Sequence, residues 1–126
     1  MRAWLVCGAV NGFVAVAAGA FGAHGLKKIL SPDMLEVFRT GAQYQMYHAL
    51  ALLALGLFAQ QRPSAWVDAS GYAMTTGIVL FSGSLYALAV TDLKPLGAIT
   101  PFGGLCLLGG WLALVIQPGS PTAGEK

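Results

Sequence analysis

The chain has 126 residues, of which 56% are hydrophobic and only 10% charged, with a formal net charge of +2 at pH 7 and a mean hydropathy of +0.68. Soluble domains carry about 25% charged residues, and so few charges cannot coat the apolar surface that a chain of this length leaves outside one ordinary core. Lipid is therefore the solvent that the composition implies, and the small positive balance gives no reason to expect a nucleic-acid partner.

The first apolar stretch covers residues 3–23, with Asn11 as its only strongly polar side chain. Arg2 ahead of it and Ala18-Gly19-Ala20 within it resemble a cleavable signal. The run exceeds the roughly 7–15 residues of a signal core, however, so it is read as a retained membrane span. Gly8, Gly12, Ala15, Gly19 and Gly22 are spaced four, three, four and three residues apart, which puts them on one stripe of a helix. Lipid tails are as apolar as leucine, so helices in a bilayer associate by close backbone approach, and small side chains permit it. The stripe is expected to pack on a neighbouring helix. Asn11, one position from Gly12, is expected to act there as structural glue through a Ser, Thr or backbone group of another helix, with a substrate contact as the sharper alternative.

Ser31-Pro32-Asp33 is a strong helix start: Ser can cap, Pro suits the first helical position and Asp complements the positive end of the helix dipole. The second span, residues 41–59, thus belongs to a helix that begins near Pro32. At about 1.5 Å per residue this helix is roughly 42 Å long, more than the hydrocarbon core, so its first turns belong among the headgroups.

That second helix carries Gln43, Tyr44, Gln45, Tyr47 and His48 as it enters the apolar zone. Polar side chains inside a bilayer are costly unless they face protein or water, so any function is expected to sit here. Tyr44 and His48, four residues apart, share a face with Gly41 and Gln45, while Gln43 and Tyr47 form the adjoining strip. An unpaired imidazole at this depth is unfavourable and His48 needs a partner. The candidates are His24, Gln43, Tyr44 and the hydroxyls of Ser82, Ser84 and Tyr86. Two histidines could in principle ligate a metal or haem, but no carboxylate or thiolate stands beside either at ligand spacing, so no metal and no cofactor is expected.

The third span covers residues 70–90, with Gly71, Thr75, Ser82 and Gly83 as its small positions. The fourth covers residues 96–116 and contains Gly103, Gly104, Gly109 and Gly110. Thr100-Pro101 reads as a helix cap and first turn, which starts the fourth helix at Pro101 and leaves residues 96–100 as an apolar, partly irregular lead-in packed against protein. His24, the polar start of the second helix and Thr100 lie toward one membrane face and are expected to converge on one pocket. A Gly/Pro/Ser tail closes the chain from Gln117 to Lys126.

Short connections make successive helices antiparallel neighbours, so the expected fold is all-α, an integral membrane four-helix bundle of up-down-up-down topology in a single domain. Arg2, Arg62 and Lys126 flank one side and Lys27, Lys28, Arg39 and Lys94 the other. This near tie leans toward both termini outside the cytoplasm and leaves orientation open. Trp4, Trp66 and Trp111 fall toward the terminal side and fit an interfacial aromatic belt. Cys7 and Cys106 form no Cys-x-x-Cys pair and read as packing residues.

The stretches Gly19-Ala20-Phe21-Gly22-Ala23-His24-Gly25-Leu26, Tyr44-Gln45-Met46-Tyr47-His48-Ala49-Leu50-Ala51-Leu52, Ser82-Gly83-Ser84-Leu85-Tyr86 and Ile99-Thr100-Pro101-Phe102-Gly103-Gly104, followed by Gly110-Trp111, carry a resemblance. The chain resembles the domain-of-unknown-function 423 family of small bacterial inner-membrane proteins, which has a eukaryotic transmembrane relative. The resemblance implies four spans in the bacterial inner membrane and no assigned activity. No nucleophile, base and orienting group can be placed together, so no catalytic residue is expected. The leading expectation is a non-enzymatic structural or accessory component of the membrane, in contact with lipid and with another membrane protein or a second copy. The alternative is a small transporter or channel with a polar site around His24 and His48. No carboxylate lies deep in a span to couple such transport to protons.

Overall fold

A computed structural model of the chain describes residues 2–118, and no strand occurs among them. Four helices account for most of this length: α1 (Ala3–Leu26), α2 (Pro32–Gln61), α3 (Ala65–Thr91) and α4 (Thr100–Ile116), with a 3-10 turn at Lys94–Ala98 leading into α4. From residue 119 onward the predicted tail lies outside the described residues, as does Lys126 of the charge count. Three helical segments, Ala3–Leu26, Ala65–Thr91 and Lys94–Ile116, are long and apolar enough to cross a membrane. The remaining helix, α2, is the longest at 30 residues, and Gln43, Gln45 and His48 in its middle dilute its apolar character.

Local chemistry sets the helix ends. The Ser31 hydroxyl accepts the Met34 backbone N–H at 3.2 Å, ahead of Pro32 and Asp33 in the first turn of α2. Ser64 accepts from the Trp66 backbone N–H at 3.1 Å at the start of α3. That helix stops at Asp92, which turns left-handed with φ of 56°, a conformation in which a short polar side chain is tolerated better than a branched one. Thr100 does not cap α4. It is the first helical residue, no side chain caps this end, and its hydroxyl is engaged by Ser84 of α3 at 2.6 Å. The tertiary bond thus displaces the capping role that the Thr-Pro pair suggests. Within α1, residues Ala17–Gly22 wind as a π-helix before the last α-turn at Ala23–Leu26.

Each helix packs on the next in sequence, and no comparable interface joins α1 to α4. The stripe of α1 lies on α2. A Cβ on Gly8 would fall 2.8 Å from the Ala49 carbonyl oxygen and the Leu53 nitrogen, Gly12 faces the Ala49 methyl, Ala15 is buried, Gly19 faces Ala42, and Gly22 faces the Phe38 ring. The order Gly8–Leu53 to Gly22–Phe38 shows the two helices running antiparallel. Between α2 and α3, Gly41 meets Tyr86 and Leu85, and the Ser82 hydroxyl donates to the Gly41 carbonyl at 2.7 Å. Between α3 and α4, Gly77 meets Leu107, Gly103 meets the backbone of Phe81, and Ser70 donates to the Gly110 carbonyl at 2.7 Å. A Cβ on Gly83 or Gly109 would meet nothing within 4 Å, so the small-residue positions of α3 and α4 divide into close-contact and open sites.

The main core gathers Trp4, Leu52, Leu55, Val67, Met74 and Leu107, and a second core of Ala23, Leu35, Phe38 and Ala89 lies toward the other end. Outside them the surface is apolar: Phe13 and Phe21 are each 77% exposed and Val115 79%. Large bare side chains over the whole circumference are what a lipid solvent requires and what water penalises.

The aromatic belt needs correction at one of its three members. Trp4 is buried, because Gly71 leaves space for the indole, Asp68 accepts the indole N–H at 2.9 Å, and Tyr72 packs edge-on at 4.9 Å. Trp111 and Trp66 are both exposed, Trp111 while donating its indole N–H to His48, as described below.

Candidate functional site

The polar cluster of α2 points three ways, because successive side chains on a helix are rotated by about 100°. Gln45 turns into the contact of α1, α2 and α3 and is buried. The Tyr86 hydroxyl donates to Gln45 Oε1 at 2.7 Å, Gln45 Nε2 donates to Asn11 Oδ1 at 2.9 Å, and Asn11 Nδ2 donates to the carbonyl of Cys7 at 2.8 Å. Three helices are tied by one chain of donors running in one direction. Asn11 therefore does reach another helix, through an amide side chain where a Ser, Thr or backbone group was expected.

His48 turns toward α4 and is buried. Trp111 Nε1 lies 3.0 Å from His48 Nε2, and His48 Nδ1 lies 2.7 Å from the Tyr44 carbonyl oxygen one turn earlier. An indole nitrogen can only donate and a carbonyl can only accept, so Nε2 is the acceptor and Nδ1 carries the proton. The imidazole is thereby neutral with both nitrogens occupied, and its tautomer is fixed by its two partners. Trp111→Phe removes the donor and leaves Nε2 buried without a partner. We expect a loss of about 1 kcal/mol of stability in detergent, read as a lowered melting temperature, and no such loss for Trp66→Phe.

Tyr44, Tyr47 and His48 also line a groove of ≈ 620 Å³ between α2 and α4, with Pro101 and Leu108 on the α4 side and Phe81 of α3 contributing to the lining. Tyr44 packs on Phe81 at 4.9 Å and on Tyr47 at 5.5 Å. Tyr47 is half-exposed, and its hydroxyl accepts from Gln43 Nε2 at 2.6 Å, also on the exposed side.

His24 stands apart from this arrangement. It is exposed on the last turn of α1 and makes no side-chain hydrogen bond among the described residues, so the structure does not bring it to His48. Thr100 is held by Ser84, and only its neighbour Pro101 reaches the groove. Sequence reasoning missed Trp111 as the partner of His48 and Tyr86 as the partner of Gln45. A signal for the first existed: between Phe102 and Ile116 the indole N–H is the only strong side-chain donor, and such a group in an apolar helix calls for an acceptor. Among the described residues no three His, Cys, Asp or Glu side chains gather where a metal ion could be held.

Helices of membrane length, a bare apolar circumference and polar side chains spent on one another define a multi-helix membrane protein. The comparison with known sequences agrees. The chain belongs to the family described as "Protein of unknown function (DUF423)", whose profile matches residues 18–104. A UPF0382 membrane protein of Staphylococcus saprophyticus is 48% identical over 116 residues, covering 92% of this chain and 96% of the relative. The UPF0382 membrane protein YwdK of Bacillus subtilis is 45% identical over 117 residues, 92% and 95% of the two chains. The UPF0382 inner membrane protein YgdD of Escherichia coli K12 is 42% identical over 115 residues, 91% and 88%. No solved structure matches the chain.

Proposed function

We propose that the chain is a non-enzymatic, multi-pass component of the bacterial inner membrane, in which all four helices cross the bilayer up and down as one bundle that serves another membrane protein as a structural or accessory partner. The inner-membrane placement follows the name carried by the Escherichia coli relative. The observation that carries the functional reading is the fate of the intramembrane polar groups. Tyr86, Gln45 and Asn11 bond in series, and both nitrogens of His48 are taken by Trp111 and Tyr44. A catalytic or ion-conducting group has to offer a free lone pair or proton to something that comes and goes. Here those groups are engaged inside the protein, three of the four bonds joining one helix to another. α2 crosses in spite of its lower hydropathy because Gln45 and His48, its most polar buried side chains, face protein.

Cross-linking in intact membranes followed by purification in mild detergent tests this reading. A membrane protein recovered reproducibly in stoichiometric amount supports it, and recovery of the chain alone under every mild condition counts against it. A small transporter or channel is the second reading, favoured by the ≈ 620 Å³ groove that reaches His48. His48→Gln separates the two: if the variant stays folded in proteoliposomes but abolishes a flux that the wild type supports, transport is the better account.

A further inference from the structure

The third direction of the α2 cluster faces outward, and neither the helix contacts nor the proposed accessory role makes use of it. Arg39, Gln43 and Tyr47 follow one another at four-residue intervals and so form a single stripe on α2. They line a cleft of ≈ 430 Å³ against α1, kept open by the small residues Ala15, Gly19 and Ala42 and floored by Met46. Arg39 is exposed and forms no ion pair among the described residues. Gln43 Nε2 donates to the Tyr47 oxygen at 2.6 Å, which leaves the phenol proton and the second amide proton of Gln43 available to a ligand. Met46 also borders a second groove of ≈ 540 Å³ that continues along α1 and α2 past Gly12, Phe13, Leu50 and Leu53, all of them apolar or without a side chain.

We propose that this slot is a binding site for one phospholipid with a primary ammonium headgroup, of the phosphatidylethanolamine class. From the loop inward, the outer stripe of α2 presents Glu36, then Arg39, then Gln43 with Tyr47, then an apolar groove. The order anion, cation, neutral donors, hydrocarbon is the complement of ammonium, phosphate, ester carbonyl and acyl chain. The spacing agrees with it: Arg39 and Gln43, whose amide holds the Tyr47 hydroxyl, are about 6 Å apart along the axis, the scale of the few covalent bonds between a phosphate and its ester carbonyls. The depth agrees as well. A 30-residue α2 is about 45 Å long against a hydrocarbon core of about 30 Å, so a surplus of several turns lies among the headgroups. Glu36 and Arg39 belong to that surplus, and Gln43 falls near its inner edge. Arginine presents a planar fork of donors that matches a phosphate better than a point charge does. An exposed glutamine and phenol at the rim of the hydrocarbon are costly against acyl chains alone and are satisfied by ester carbonyls.

The test is native mass spectrometry of the full chain released from nanodiscs that contain phosphatidylethanolamine and phosphatidylglycerol in equal amounts, with melting temperature as the check on folding. One phosphatidylethanolamine should stay on each wild-type chain. Arg39→Gln should lower retention of both lipids by roughly tenfold, and Glu36→Gln should turn the preference toward phosphatidylglycerol by a similar factor, the change expected from one charged contact. Arg62→Gln, at the far end of α2, should change neither. Equal retention of the two lipids by the wild type overturns the proposal without any variant having to fold. So does equal loss in Arg39→Gln and Arg62→Gln, or displacement of the lipid by inorganic phosphate.

Discussion

Gly103→Ala is expected to cost about 2–3 kcal/mol, the upper range for overpacking a close helix contact, and to lower the melting temperature in detergent accordingly. The added Cβ would fall on the backbone of Phe81 and Leu80 in α3. Backbone atoms cannot swing aside as a leucine tip can, so α4 as a whole would have to move away from α3. The matching controls are Gly109→Ala and Gly83→Ala, where the new methyl meets nothing within 4 Å. Alanine is a better helix former than glycine by about 1 kcal/mol, so these two should be neutral or mildly stabilising. A flat response across all three positions would mean that α3 and α4 do not touch through Gly103.

Gln45→Leu should cost about 2 kcal/mol, because two interhelical bonds go at once and each contributes on the order of 0.6–2 kcal/mol in a membrane. The leucine also strands the Tyr86 hydroxyl and the Asn11 amide oxygen inside a three-helix contact. Tyr86→Phe alone removes one of the two bonds and should cost less. Combined with Gln45→Leu it should add less than its own effect, by about 0.6–1.7 kcal/mol, the coupling between two bonded side chains. Full additivity in this double-mutant cycle would show that Gln45 and Tyr86 are not bonded in the folded protein.

These two expectations separate what the sequence carries from what it does not. An all-helical chain with apolar helices of membrane length is legible from composition and run length alone, since lipid leaves the backbone few other options. Helix starts such as Ser31-Pro32-Asp33 are legible because capping acts within one turn. Partners across helices are another matter. His48 meets Trp111, 63 positions away, through the relative height of α2 and α4, which both rest on α3 without packing extensively on each other. No local pattern encodes that height, and proximity to the same membrane face pointed to His24. Trp4 misled in the same way: a tryptophan at the end of a span suits a lipid interface, and only the bare surface of Gly71 together with the Asp68 acceptor draws it inward. Thr100 shows the competition directly, a capping residue by type and position whose hydroxyl is claimed by Ser84.

The proposed four-span bundle depends on whether α2, the one long helix not apolar enough to count as a span by composition, crosses the membrane. Cysteine accessibility in sealed vesicles tests it, with Lys28→Cys, Ser64→Cys and Asp92→Cys introduced one at a time into a Cys7→Ala, Cys106→Ala background and labelled with a membrane-impermeant thiol reagent. Positions 28 and 92 should react from one face and position 64 from the other. Reaction of positions 28 and 64 from the same face would place α2 along the membrane surface and contradict a four-span bundle.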